Sequence, residues 1–257
     1  MLLWKRLATT LVGKTSKHPL IRYLQWDSDF FGVPVASLDG GLLQSETSKI
    51  VFDWCRKEKI RCLYFLADGT DSHTLQCAYD EGFQFIDVRV KMEYDLKNVQ
   101  QTEASSLEIK PVTKKEKLDN ILAFARMSHT DSRFFKDLNF NRTKCEKLYE
   151  KWIVRDFEKG NILGFYPEGE NNIKGYVTFT MESPDVARIG LIAVEDQFRG
   201  QGVGTKLLRK TIVTSKELNA RKLIVVTQAT NTSALRLYEK AGFRITDVKL
   251  WFHKWFA

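Results

Sequence analysis

Three groups of residues in this chain have the types and spacing that chemistry needs. Arg199, Gly202 and Gly204 make an Arg-x-x-Gly-x-Gly run inside "FRGQGVGTKLL". Asn231, Ala234 and Tyr238 stand at i, i+3 and i+7 in "NTSALRLYEKAGF". His129, Asp131, Glu182 and Asp87 are candidate proton acceptors. Glycines at the start of a helix let backbone N–H groups and the positive end of the helix dipole reach an anion with no side chain in the way. The stretch Arg199, Gly200, Gln201, Gly202, Val203, Gly204 is therefore a candidate phosphate cradle. Two common cradles do not fit it. A nucleotide P-loop needs Gly-Lys-Ser/Thr where this chain has Gly204-Thr205-Lys206, and a dinucleotide turn needs a third glycine where Leu207 stands.

A cradle of this kind requires a strand before it and a helix after it. "ARIGLIAV" is an apolar strand, and Leu207, Leu208, Thr211, Ile212, Ser215 and Leu218 recur on one helical face beyond the glycines. A second buried strand, "KLIVVT", leads to Asn231, a residue type that caps helices, and Gly242 ends the helix that carries Tyr238. The same grammar occurs 160 residues earlier, where "RCLYFL" from Arg61 precedes "DSHTLQCAYDEGFQFIDV". Gly82, Phe83, Asp87 and Val88 there match Gly242, Phe243, Asp247 and Val248. Matches in register across several elements predict a duplicated α/β chain, divided into 1–105 and 106–257. The first copy has Ala78 in place of Tyr238, and Gly40-Gly41-Leu42-Leu43 in place of the glycine run. Only the second copy is expected to be catalytic.

The two signatures, in this order and on these elements, resemble those of the GNAT superfamily of N-acyltransferases, which use acyl-coenzyme A. The resemblance runs from Leu107 to the C-terminus. It implies a mixed, partly splayed β-sheet flanked by helices, with a vestigial GNAT-like N-terminal half. By resemblance, acyl-CoA lies where "RIGLIAV" and "KLIVVT" part. Ile192, Ala193 and Val194 would follow the pantetheine arm and polarise the acyl carbonyl, the N–H groups from Arg199 to Gly204 would hold the pyrophosphate, and Asn231 completes the coenzyme set. Tyr238 would donate to the departing sulfur. A phenol near pKa 10 and a thiol near 8.5 differ by about 1.5 units, or roughly 2 kcal/mol, a modest step for a positioned donor.

A narrower likeness rests on "LQWDSDFFG", "DSRF", "YEKWI", "ARIGLIAV" and "LWFHKW". Together they are similar to bacterial N-acyltransferases of dTDP-linked amino-dideoxy sugars, of the dTDP-fucosamine acetyltransferase type. That likeness implies acetyl-CoA or a hydroxyacyl-CoA such as 3-hydroxybutanoyl-CoA as donor. A nucleotide-linked amino sugar for surface polysaccharide or O-antigen synthesis would be the acceptor. It also implies that Asp87 lies near the acceptor amine where the family has Glu, acting through water because its side chain is shorter. His129, Asp131, Arg133 and Phe134 would contact the nucleotide sugar. Two other readings stay open: acylation of a protein, peptide or small amine, and a CoA-binding module without turnover.

The net charge of +8 and pI near 9.2 attract anions. The basic residues are interspersed with acids and carry no nucleic-acid motif, so no nucleic-acid partner is expected. A phosphorylated small molecule and a plain solvated basic surface both suit the charge. No stretch approaches the roughly 20 apolar residues of a membrane span, and no secretory leader is evident, so a cytoplasmic location is expected. The first 26 residues hold Lys5, Arg6, Lys14, Lys17 and Arg22 before the first acid, Asp27. A basic extension, a transit peptide and a surface-binding helix all match that pattern. Cys55, Cys62, Cys77 and Cys145 have no metal or redox spacing, and no metal is expected. The oligomeric state is left between monomer and homodimer.

Overall fold

The computed structural model describes residues 20–97, 99 and 108–257. The basic segment with Lys5, Arg6, Lys14 and Lys17, and the expected boundary between 105 and 106, lie outside the described residues. The first elements are β1 (Ile21–Tyr23), α1 (Gln25–Phe31), β2 (Val35–Leu38), α2 (Ser45–Lys57), β3 (Cys62–Asp68), α3 (Ser72–Asp80) and β4 (Gln84–Asp95). After them come β5 (Ile109–Pro111), α4 (Lys115–Ser128), α5 (Arg133–Lys136), α6 (Arg142–Glu158), β6 (Ile162–Phe165), β7 (Gly175–Ser183) and β8 (Val186–Val194). The chain ends with α7 (Val203–Glu217), β9 (Lys222–Gln228), α8 (Thr232–Lys240) and β10 (Arg244–Trp255).

Three consecutive elements repeat exactly. β3 and β9 are seven residues long, α3 and α8 nine, and β4 and β10 twelve, each pair displaced by 160 positions. The local devices repeat too. Asp71 Oδ1 accepts from the Thr74 N–H at 2.6 Å to cap α3, and Asn231 Oδ1 accepts from the Ala234 N–H at 3.1 Å to cap α8. Lys59 and Asn219, beyond the ends of α2 and α7, both adopt a left-handed backbone, with φ of 54° and 66°. Few non-glycine residues do so. The two positions are equivalent under the same 160-residue shift.

Packing divides the chain differently from a contiguous cut. Among the described residues, one compact unit is made of 20–86 with 249–257, and the other runs from 87 to 248. The cause is an exchange of final strands. The first repeat's β4 runs antiparallel to β9, with Arg89 opposite Gln228, while the second repeat's β10 runs antiparallel to β3, with Lys249 opposite Asp68. The two registers are equivalent under the 160-residue shift.

The first unit has strand order β1-β2-β3-β10 and a core that includes Val51, Cys55, Leu63, Phe65, Ala78 and Phe252. Cys55, Cys62, Cys77 and Cys145 are all buried free thiols. Burial pushes the Cys55 thiol up to about 12, which holds it in the inert protonated form.

The second unit has strand order β4-β9-β8-β7-β6-β5, with β8 and β9 parallel and its other pairings antiparallel. Leu207 and Leu208 of α7 are fully buried in its core beside Val177 and Leu223. Each such side chain contributes about 1.5–3 kcal/mol by leaving water. The face of α7 read from the sequence anchors the helix through Leu207, Leu208, Thr211, Ile212 and Ser215, while Leu218 lies past the helix end and is 47% exposed; this fixes where its glycine-lined start points.

Candidate active site

The site grows from a parting of two strands. β8 and β9 pair from Val186 opposite Lys222 only as far as Ile189 opposite Val225, although both strands run on to Val194 and Gln228. A bulge in β8 accompanies the separation. Between the pairs Phe179–Ile189 and Val177–Ile192, β8 spends one more residue than β7. The buried Thr178 takes up the slack, since its Oγ1 accepts from the Leu191 N–H at 3.0 Å. Gly190 is required for room: a Cβ there would sit 2.5 Å from Thr178 Oγ1.

The cradle lies at the same end. Gly200 and Gly202 have φ of 77° and 78°, left-handed values that favour glycine. Gly202 precedes α7 without a side-chain cap, so the first N–H groups of this 15-residue helix have no intrahelical acceptor. A cleft of about 680 Å³ opens here, lined by Ile192, Ala193 and Val194 of β8, the glycine loop, and residues of α8. Arg199, Gly200, Gly202, Val203, Gly204 and Asn231 all line it. Gln201 does not, as its amide turns back to donate to the Gln197 carbonyl at 2.8 Å. The Arg199 side chain is likewise tied to its own loop, donating to the Val194 carbonyl at 3.1 Å and pairing with Asp196 at 2.8 Å. The Arg199 side chain is thus committed to its own loop.

The other expected residues divide. Asp131 lines the cleft, together with Ser128 and Thr130 of the same segment. His129, between them, turns inward. It stacks on Tyr149 with ring centres 5.2 Å apart, and its Nε2 lies 2.7 Å from the Tyr176 hydroxyl. Burial lowers its pKa to about 4, so the ring is neutral at physiological pH. Phe134 is 6% exposed, packed edge-on against Phe140 and Trp152, with the Arg133 guanidinium 4.1 Å above its own ring. His129 and Phe134 are therefore packed inside and are absent from the cleft surface. Glu182 is engaged by Arg188, with Nη2–Oε1 at 2.6 Å.

Tyr238 is 3% exposed and packs against Phe243, with centroids 5.6 Å apart, in the core of the second unit. It is not among the residues lining the cleft. The helical turn of about 100° per residue explains this. The cleft face of α8 runs through Ser233 and Leu237, and Tyr238 falls on the neighbouring inner face. Burial raises its phenol well above the ordinary value. The gap to a thiol of about 1.5 units thereby widens, which favours hydrogen-bond donation over complete proton transfer.

Asp87 is 3% exposed at the start of the β4–β9 pairing. Its Oδ1 accepts from Lys136 Nζ at 2.7 Å and from the Val88 N–H at 2.9 Å, and the same Lys136 donates to Thr230 Oγ1 at 3.1 Å. Asp87 Oδ2 is buried with no hydrogen-bond partner among the described residues. A carboxylate oxygen in that condition is unusual and marks a place where a donor belongs. Thr230 adjoins Asn231 of the cleft. The Asp87–Lys136–Thr230 contact joins residues far apart in the chain and gave no sequence signal.

Comparison with known proteins agrees with this geometry. Residues 123–243 match the model of the Acetyltransferase (GNAT) family. The chain is 26% identical over 135 residues to the spore coat polysaccharide biosynthesis protein SpsD of Bacillus subtilis, covering 52% of this chain and 46% of that protein. It is 30% identical over 99 residues to mycothiol acetyltransferase of Corynebacterium glutamicum, covering 38% of this chain and 34% of that one. The alignments thus span less than half the length of these curated relatives. A GCN5-related N-acetyltransferase structure from Sphaerobacter thermophilus superposes with a TM-score of 0.64 at 14% identity, over 91% of this chain and 76% of that chain. The fold is that of the GNAT acetyltransferases. Among the described residues no helix is long and apolar enough to cross a membrane, and no three His, Cys, Asp or Glu cluster as metal ligands would.

Proposed function

We propose, from a cleft of this geometry in a GNAT-type fold, that the chain is an N-acyltransferase. It moves an acetyl or short hydroxyacyl group from acyl-CoA to the amine of a nucleotide-linked amino sugar, by direct attack in a ternary complex. The observation that carries the reading is the pairing of parted strands with an uncapped, glycine-lined helix start. Together these offer a free strand edge to an extended thioester arm and a row of N–H donors to a diphosphate.

In this reading the edge of β8 from Ile192 to Val194 aligns the pantetheine arm and polarises the acyl carbonyl, stabilising charge where the oxyanion develops. Asp87, through its open Oδ2 and a water, receives the proton that the attacking amine gives up. Tyr238 donates a hydrogen bond to the departing thiolate once the bound arm reaches the inner face of α8. The first repeat, with Ala78 where the second has Tyr238 and no glycine run, is a vestigial copy. The sugar acceptor draws on the narrower sequence likeness and on the relative named for polysaccharide biosynthesis.

The test is thiol release from acetyl-CoA and 3-hydroxybutanoyl-CoA in the presence of dTDP-amino-dideoxy sugars, peptides with free N-termini, or polyamines. Turnover confined to the sugar nucleotides is expected. Turnover only with peptides or polyamines would replace the acceptor, and CoA binding without turnover on any amine would leave a silent module.

A further inference from the structure

Resting on the coenzyme reading above, we infer that Arg236 and Lys240 grip a third phosphate of the coenzyme, the ribose 3′-phosphate, and so make the protein select CoA over its dephosphorylated form. The two stand at i and i+4 on α8, hence side by side on one face. Both line the cleft with Gly200, Gly202 and Gly204. α8 is packed directly on the start of α7, for Leu237 Cδ2 lies 3.4 Å from where a Cβ on Gly204 would be. The pair is therefore held beside the diphosphate cradle.

Charge gives the same answer. Arg199, Arg236 and Lys240 line the cleft against a single acid, Asp131. Arg199 is committed to Val194 and Asp196. Arg236 and Lys240 are exposed and have no hydrogen-bond or ion-pair partner among the described residues. Two uncommitted cations one turn apart suit a monoester, which carries up to two negative charges near neutrality and three acceptor oxygens. An Arg fork and a Lys point charge supply complementary donors for it. The diphosphate itself needs neither, because the backbone N–H groups of the loop serve it.

Calorimetric titration with CoA and with 3′-dephospho-CoA tests this on the full chain, its Arg236→Ala and Lys240→Ala variants, and the double variant. The parent is expected to bind CoA about tenfold more tightly or better. The double variant should lose that preference while keeping the parent's affinity for dephospho-CoA, and each single variant should lose part of it. Equal binding of the two ligands by the parent would overturn the inference and leave the coenzyme reading standing. So would an undiminished preference in the double variant. Failure of the parent to bind either ligand would remove both.

Discussion

At the scale of single residues, Tyr238 and Asp87 share a predicament, since each is a buried polar group to which the proposed reaction assigns chemistry. Replacing Tyr238 with Phe keeps the ring against Phe243 and removes only the hydroxyl. We expect CoA affinity to change less than twofold and turnover to fall by about 10²-fold, the lower end for a positioned donor; equal turnover in thiol-release assays would exclude the phenol from the reaction. Lys136→Met leaves the Asp87 carboxylate buried without its cation. A loss of about 1–3 kcal/mol in denaturant unfolding is expected, with Asp87→Asn on the same background restoring much of it. The glycines and Asn231 were legible in the sequence because their work is local: a left-handed turn and a cap each depend on a few neighbours. The burial of Tyr238 and the partner of Asp87 were not, because helical spacing gives a face but not its neighbours, and Lys136 lies 49 positions from Asp87.

At the scale of elements, the bulge in β8 and the capped helices bear the most weight. Gly190→Ala would drive a methyl into Thr178 Oγ1, and overpacking of this kind costs about 1–3 kcal/mol. A lowered melting temperature together with weaker CoA binding is expected, because the bulge sets where β8 leaves β9. A stable variant with normal affinity would dissociate the bulge from the cleft. The two caps make a matched pair in which only one titrates. Hydrogen bonds from the Thr74 backbone and hydroxyl hold Asp71 below the usual carboxylate range. A group depressed on folding stabilises above its unfolded pKa, about 3.9, and loses that contribution as pH falls through the folded value. The stability difference between the parent and Asp71→Ala should therefore shrink on acidification. That between the parent and Asn231→Ala, about 0.5–2 kcal/mol, should persist, as read by urea titrations at neutral and acid pH. The strand–helix alternation was readable from periodicity and turn residues. The parting of β8 from β9 came from family likeness alone, since no local pattern distinguishes a strand that pairs throughout from one that stops halfway.

At the scale of the whole molecule, the exchange of β4 and β10 governs what can be cut away. Deleting 249–257 removes the strand beside β3 and takes Phe252 out of the first unit's core. Limited proteolysis should then cleave within 20–86 while 108–248 stays protected. Simultaneous loss of both regions would mean that stability is not divided as the packing is. This exchange could not be read from the sequence, because β4 and β10 have equal length and the same preceding Gly-Phe turn, so either could serve β3 or β9. It also constrains how the chain is made. Strand β3 leaves the ribosome long before β10 is translated, on the order of ten seconds or more at ordinary rates of synthesis. In that interval β3 presents an unmated edge, with the hollow meant for Phe252 unfilled. A nascent chain in this condition invites pairing with a foreign strand, so holding by a chaperone until synthesis nears its end should raise the yield of native protein.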